Sequence, residues 1–411
     1  MNLVDGRFLT ADECEAVLDD LENRILATLG NGRLAPETVI AACDRLAGKL
    51  DEERYIARMD ALGIPEALGR RYVAEAREIF KAEALRERLR AELGEDLQNA
   101  EPLGTLLHVA AGNADGLPAF SVLEGLLTGN INILKLPSEE GGASAELLRE
   151  LILEEPGLAE YVYVFDYSSR DLVHISKLLA AADAVVVWGG DEAVRTLRSL
   201  VSPNTKLIEW GHKVSFGYVT RGGLTDDGLR GFARNIAETG GLLCSSCQGV
   251  YLDTEEISEV YALAERLLKL LERETAAYPP PTGISAMTTL ELYTSELEAP
   301  FSGGRVFRGN GCGVTARGDR RLESAPAPRV PWVKALPRGE LIWTLRPHKN
   351  HLQTVGLLCA DDERGELTRA LFRAGAVRVT SGERMSRAEP SAPHDGEWPL
   401  RRYVKLVRSG E

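Results

Sequence analysis

Cysteine is scarce in this chain: six in 411 residues, at Cys14, Cys43, Cys244, Cys247, Cys312 and Cys359. So few, so widely scattered, argue against an oxidised disulfide framework. Cys244 and Cys247 are the one close pair. Their C-x-x-C spacing suits a redox dithiol or half of a zinc site, but a structural zinc needs a second ligand pair, and none lies at a plausible spacing. No metal is expected. The chain also lacks any run of roughly 18 uninterrupted apolar residues, and its start, MNLVDGRFLTADE, has no basic head followed by an apolar stretch. No membrane span is expected, and the cytoplasm is the default location. Positive charge is in deficit as well, with 48 Lys and Arg against 62 Asp and Glu and a formal net charge of -14. That field repels nucleic-acid phosphates and anionic lipid, which excludes a general polyanion binder. It still permits a local cationic pocket or helix start that receives a phosphorylated cofactor.

What is present is a long, apolar chain, 44% hydrophobic and 27% charged, whose length at about 150 residues per domain predicts two or three domains. Residues 1–100 read as a helical N-terminal region, with apolar positions at three- and four-residue spacing such as Ala16, Val17, Leu21, Ile25 and Leu29. Its expected role is packing against the α/β domains that come after it in the chain. From Pro102 the texture changes to short apolar segments ending in Gly, Asn or Asp, each followed by a helical pattern. Strands are predicted near 106–110, 131–136, 161–165, 184–188 and 206–209, with helices near 117–127, 144–153, 171–179 and 191–200. This alternation predicts a doubly wound parallel sheet over 101–240. In such sheets ligands bind outside the carboxyl ends of strands, where Gly112, Asn113, Lys135, Gly189, Gly190 and Glu209 all fall. A second α/β domain is expected over 241–385, with strands near 249–252, 306, 341–344, 354–359 and 377–380 and helices near 258–271 and 363–374. Residues 386–411 read as a loop and an extended segment.

The segment NIAETGGLLCSSCQGVYLD carries the most chemistry, because a helical stretch ends at two glycines and a cysteine follows just before a strand. Glycines let backbone approach closely, and nearby N–H groups can face an oxyanion formed at that cysteine. Cys244 is the candidate nucleophile, against the ordinary alternative of a buried, inert thiol. In KLIEWGHKVSFGYV, Glu209 ends an apolar strand beside a turn that holds Gly211, a position for a general base or proton relay, or simply for a solvated carboxylate. In HVAAGN, Asn113 can supply an oxyanion donor, or serve as an ordinary turn residue. Gly189 and Gly190 link a strand to a helix start in VVVWGGDEAV, which suits a nucleotide phosphate or nicotinamide against bare backbone. The full G-x-G-x-x-G fingerprint is absent. Lys135 ends another buried strand, in reach of a ribose hydroxyl or phosphate, or snorkels to water.

In this order, GN at 113, LLTGNINILKLPSE, VVVWGGDEAV, KLIEWGHKVSF and GGLLCSSCQ resemble the functional segments of the aldehyde dehydrogenase superfamily. The chain is most similar to its acyl-CoA reductase family, the LuxC-like fatty-acid reductases. HLQTVGL and SAPHDGEWPL resemble that family's C-terminal segments, so the likeness runs from about Gly104 to Leu400. The resemblance implies an aldehyde dehydrogenase-like α/β fold, with a Rossmann-type cofactor domain, an α/β catalytic domain and the helical N-terminal region. It implies Cys244 as catalytic thiol, Asn113 as oxyanion-binding amide and Glu209 as the superfamily's carboxylate. Lys135, Gly189 and Gly190 correspond to the cofactor site, and Gly211 lies beside it.

The implied reaction is reduction of a fatty acyl-CoA, or an acyl-protein thioester, to the aldehyde through an acyl group on Cys244, with CoA as leaving group. Where NAD-preferring relatives carry a glutamate, this sequence has Ser138, with Glu139 one place later. A missing carboxylate there removes repulsion against a 2′-phosphate, so NADPH is expected ahead of NADH. Glu209 keeps a second reading open, aldehyde oxidation to the acid with water as acyl acceptor, and a non-redox acyl-transfer protein is a third. Cys247 has no family role, and a disulfide with Cys244 would switch activity off. The resemblance also implies a homo-oligomer and an acyl-activating partner protein. The terminal RRYVKLVR, alternating cationic and apolar, is expected to add a strand to a neighbouring subunit or to its own.

Overall fold

Short segments such as INILK and AVVVW are buried along their whole length, the pattern of strands covered on both faces. In a computed structural model of the chain, residues 1–61, 66–110, 116–137, 142–279, 282–387, 389 and 391–408 are described. They divide into two compact units. One comprises Met1–Asp51, Ala74–His212 and Glu389–Glu411, and the other Glu52–Val73 and Lys213–Ala388.

The first unit holds strands β1 (Asn2–Val4), β2 (Arg7–Leu9), β3 (Ala100–Pro102), β4 (Thr105–Val109), β5 (Ile131–Lys135), β6 (Val162–Phe165), β7 (Ala184–Trp188) and β8 (Lys206–Trp210). Its sheet runs β2-β1-β6-β5-β4-β7-β8. From β6 to β8 every pairing is parallel, and an N-terminal antiparallel hairpin closes the β6 edge. The chain steps outward from β4 through β5 to β6, then returns to the other side of β4 with β7. That reversal makes the crevice beyond the carboxyl ends of β4 and β7 the expected ligand position. Helices Leu117–Leu127, Ala143–Glu154, Leu172–Ala180 and Asp191–Leu200 connect these strands. Beside β4, Trp188 Nε1 donates to Ser121 Oγ (3.0 Å), Ser121 lies 2.7 Å from His108 Nδ1, and His108 Nε2 lies 3.0 Å from Asn132 Oδ1. Burial pulls the His108 pKa down to about 4. The neutral ring therefore accepts from Ser121 and donates to Asn132.

The second unit holds β9 (Val214–Val219), β10 (Cys247–Leu252), β11 (Arg305–Arg308), β12 (Gly313–Arg317), β13 (Trp332–Ala335), β14 (Leu352–Leu358) and β15 (Arg378–Thr380). The order is β11-β12-β13-β10-β9-β14-β15, parallel except for the β11/β12 pair. Helices Asp226–Thr239, Ile257–Ala277 and Asp361–Ala374 are the main helical cover for its strands. Among the described residues no helix is long and apolar enough to cross a membrane.

Three expectations from sequence change. The boundary expected at 240 falls between His212 and Lys213, because VSFGYV is fully buried as β9, at the heart of the second sheet. Residues 1–100 are no separate region: most belong to the first unit and Glu52–Val73 to the second, where Arg71 Nη1 donates to Glu238 Oε2 at 2.7 Å. The strand expected at 341–344 is a helix, Leu341–Leu345, with Leu341 and Leu345 buried one turn apart and Trp343 83% exposed. That burial follows a helical period, not strand alternation.

The C-terminal segment folds back on its own unit, where β16 (Val404–Leu406) pairs antiparallel with β3. A buried polar knot secures it. Arg88 Nε donates to Glu92 Oε1 (2.7 Å) and its Nη2 to Glu124, while Leu400 N donates to Glu92 Oε2 (2.7 Å) and Tyr403 Oη to Glu124 Oε2 (3.1 Å). All three charged side chains are below a tenth exposed. Removing one member of such a group leaves uncompensated buried charge. Arg88→Met is therefore expected to lower unfolding free energy by about 3–5 kcal/mol in chemical denaturation, whereas an unchanged midpoint would contradict the role given to this knot.

Candidate active site

The helix Asp226–Thr239 starts at Thr225, whose hydroxyl accepts from Gly228 N (3.2 Å), and ends at Gly240 and Gly241 with φ of 61° and 77°. Side chains other than glycine rarely adopt that left-handed backbone, so the two glycines make the reversal into LLCSSC. A tight turn comes next, with Ser246 N donating to Leu243 O (2.9 Å) and Leu243 N to Ser246 Oγ (3.0 Å). Cys244 sits in this turn and is the exposed member of the six cysteines, the other five being buried.

Neighbouring side chains hold the turn. Ser215 Oγ, on β9, donates to Cys244 O (2.7 Å) and accepts from Thr354 N of β14 (3.0 Å). Gln353 Nε2 donates to Cys244 Sγ at 3.3 Å. Asn235 accepts from Cys247 N (2.8 Å) and donates to Ser386 Oγ (2.9 Å), which also accepts from Ser245 Oγ (3.0 Å). Gln248 Nε2 donates to Gly241 O (2.8 Å) and its Oε1 accepts from Ala325 N (2.9 Å). Because Cys244 precedes β10 while Ser215 and Gln353 open β9 and β14, the thiol lies at the amino ends of these parallel strands.

Cys247 has the opposite environment. It opens β10 within the hydrophobic core, its Sγ donates to Gly249 O (3.3 Å), and burial pushes its pKa up to about 12. Such a thiol packs as a small hydrophobe and is a poor partner for disulfide exchange. The described residues contain no cluster of three or more His, Cys, Asp or Glu able to hold a metal.

In the first unit, Lys135, Gly189, Gly190, Glu209 and Gly211 gather at the carboxyl ends of β5, β7 and β8. Lys135 is almost fully buried and donates to Ser169 Oγ (2.7 Å); burial lowers its pKa, with Asp166 opposing. Gly190 opens the helix Asp191–Leu200, and a Cβ at Gly190 or Gly211 would meet nothing within 4 Å. Trp188 and Trp210 stack at 5.2 Å just before these glycines, and His394 lies edge-on to both at 5.0 and 5.1 Å. This places SAPHDGEWPL against the strand ends. Glu209 is not a solitary carboxylate: Arg198 Nε and Nη2 donate to its two oxygens, each at 2.5 Å. Asn113 and Ser138 lie outside the described residues.

Gln353, Ser215 and Arg198 carry no role in the sequence reading. Gln353 had one local signal, an amide inside the apolar run LQTVGLL. Ser215 and Arg198 had none, since their contacts join residues 29 and 11 positions apart.

The family model described as acyl-CoA reductase (LuxC) matches residues 34–406. A long-chain acyl-protein thioester reductase from Aliivibrio fischeri is 22% identical over 324 residues, 76% of this chain and 65% of that protein. Long-chain acyl-protein thioester reductase 2 from Photobacterium leiognathi is 27% identical over 180 residues, 43% of this chain and 38% of the relative. The match thus spans less than two thirds of either relative's length. Among solved structures, an NAD-dependent aldehyde dehydrogenase from Sinorhizobium meliloti superposes with a TM-score of 0.76 at 16% identity, covering 99% of this chain and 93% of that one.

The environments of the cysteines give a direct expectation. Iodoacetamide should label the native protein rapidly at one position, lost in Cys244→Ala, with the other five reacting only on unfolding; peptide mapping that finds Cys247 labelled as fast as Cys244 would contradict this. By its sequence match the chain belongs to the acyl-CoA reductase (LuxC) family, and its architecture is that of an aldehyde dehydrogenase.

Proposed function

We propose that this chain reduces a fatty acyl thioester to the aldehyde through an acyl group carried on Cys244, with NADPH preferred over NADH. The observation that carries the reading is an exposed thiol held by Ser215 and Gln353 in a glycine-generated turn, while the other cysteines are buried. The names of the relatives support a protein-bound acyl donor alongside acyl-CoA, whose CoA would be the leaving group.

In the proposed reaction the Cys244 thiolate adds to the thioester carbonyl. A new carbon–sulfur bond forms, the old one breaks, and the departing thiolate leaves with its electron pair and takes a proton from water. When bound, reduced nicotinamide supplies the hydride that reduces the acyl carbon. The tetrahedral oxyanion on Cys244 then reforms its C=O bond and expels the Cys244 thiolate, releasing aldehyde. Asn113 and the Cys244 backbone N–H are the proposed donors to that oxygen.

The residues of the first unit fit a dinucleotide. Lys135 offers a nearly buried ammonium at a strand end, and Gly190 and Gly211 leave bare backbone with open space before it. Asp191 and Glu192 in the first turn of the following helix oppose a phosphate there, so the cationic contact falls to Lys135. With Ser138 in place of a carboxylate, that contact favours a 2′-phosphate. A homo-oligomer, an acyl-activating partner protein and a cytoplasmic setting belong to the same proposal, by family relation.

Aldehyde oxidation is the competing reading, and it needs a carboxylate able to take a proton from water. Both Glu209 oxygens are engaged by Arg198, which supports reduction, where hydrolysis of the acyl-enzyme would waste the intermediate. Steady-state assays with acyl-CoAs and acyl-proteins of increasing chain length, using NADPH and NADH, test the proposal. We expect thioester-dependent NADPH consumption with aldehyde release, reduced at least about a thousandfold in Cys244→Ala. Arg198→Ala should shift product from aldehyde toward acid. Thioester-independent aldehyde oxidation by the wild type would overturn the proposal.

A further inference from the structure

We propose that Gln353 is a catalytic residue whose carboxamide N–H holds the Cys244 sulfur as an oriented thiolate, an assignment that rests on Cys244 being the nucleophile. The contact is direct, Nε2 to Sγ at 3.3 Å, and Gln353 is only 7% exposed. An amide buried inside a strand core carries a desolvation penalty that its hydrogen bonds must offset. Apart from Thr354, the other residues of Leu352–Leu358 carry no polar side chain, so the amide stands out in this strand.

The backbone around Gln353 is built to aim it. Leu352 pairs with Val214 and Val355 with Phe216, so Gln353 and Thr354 together oppose the single residue Ser215. This is a bulge in a parallel pair, a rare position for one, and a bulge re-aims a side chain out of the regular strand alternation. Ser215 fastens both sides of it, accepting from Thr354 N at 3.0 Å and donating to Cys244 O at 2.7 Å. One buried hydroxyl thereby fixes the distance between the strand that carries the amide and the turn that carries the thiol.

The chemistry rests on what an amide can do. Its N–H donates to sulfur and binds thiolate more strongly than thiol, which favours the charged form. It takes no proton itself. The side chains Ser215, Asn235, Thr239, Gln248 and Ser386, which also bond to the turn, are neutral. Gln353 thus stabilises sulfur at both ends of the cycle. Sulfur is an anion before it attacks the thioester and becomes one again when the C–S bond of the tetrahedral oxyanion breaks, its electron pair returning to sulfur as C=O reforms.

The test measures alkylation of Cys244 by iodoacetamide against pH, which needs neither acyl substrate nor nicotinamide. Gln353→Met removes the donor at similar volume, and Gln353→Glu replaces it with an acceptor of the same shape. The alkylation midpoint should rise by about one pH unit in Gln353→Met and further in Gln353→Glu, a roughly tenfold loss of thiolate at neutral pH for the first. Thermal unfolding reports whether each variant is folded, and the near-isosteric Glu variant keeps the test open if the Met variant is not. Midpoints equal to wild type in folded variants would overturn the assignment. A raised midpoint in a protein whose wild type turns over no acyl thioester would sustain Gln353 while removing the reductase reading.

Discussion

The Ser215 hydroxyl, fully buried on β9, donates to the Cys244 carbonyl and accepts from the Thr354 amide, joining the thiol turn to β14. The nucleophile role proposed for this exposed thiol calls for a backbone that does not move, yet a turn at the end of a sheet has carbonyl and amide groups left over from both elements. Here those groups are taken up in sequence: Ser246 closes the turn on Leu243, Gln248 takes the Gly241 carbonyl, and Asn235 takes the Cys247 amide. The Cys247 amide is the buried one of these groups, and leaving it unmet would cost on the order of 1–3 kcal/mol. The turn is therefore held by several hydrogen bonds at once, while Cys244 stays exposed.

In the first unit the same economy works through charge. The cofactor proposed for this acidic chain is an anion, so its site must rest on local features, and Lys135, the candidate contact, donates to a hydroxyl, with Asp166 an opposing charge nearby. Glu209 is treated differently, its oxygens engaged by Arg198 and its carbonyl accepting from Arg402 (3.3 Å). Lys135 bonds to a neutral hydroxyl, whereas Glu209 is held by a guanidinium. That asymmetry is what the proposed reduction needs, since a carboxylate free to activate water would hydrolyse the acyl group.

What could be read from the sequence was what is local. Ile131–Lys135 and Ala184–Trp188 are short, β-branched-rich segments closed by a turn, and both are buried throughout as strands. The glycine pair before Cys244 announced its turn because glycine is the residue that takes positive φ without strain, and both adopt it here. Leu341–Leu345 misled because Leu-Ile-Trp-Thr has strand-favouring side chains, while burial of Leu341 against Leu345 decides for helix. VSFGYV was hidden beside the Glu209 strand, and the boundary moved with it. Contacts across sheets were out of reach altogether: the meeting of Gln353 with Cys244 depends on a one-residue bulge opposite Ser215, which no spacing in the chain records.

In the proposed reaction everything turns on Cys244 carrying the acyl group. Incubating the protein with a long-chain acyl thioester in the absence of nicotinamide, then weighing the intact chain and mapping its peptides, tests it most directly. One acyl group per chain on the Cys244 peptide, discharged as aldehyde when reduced nicotinamide is added, is the predicted result. No adduct, or an adduct that persists in Cys244→Ala, would contradict it.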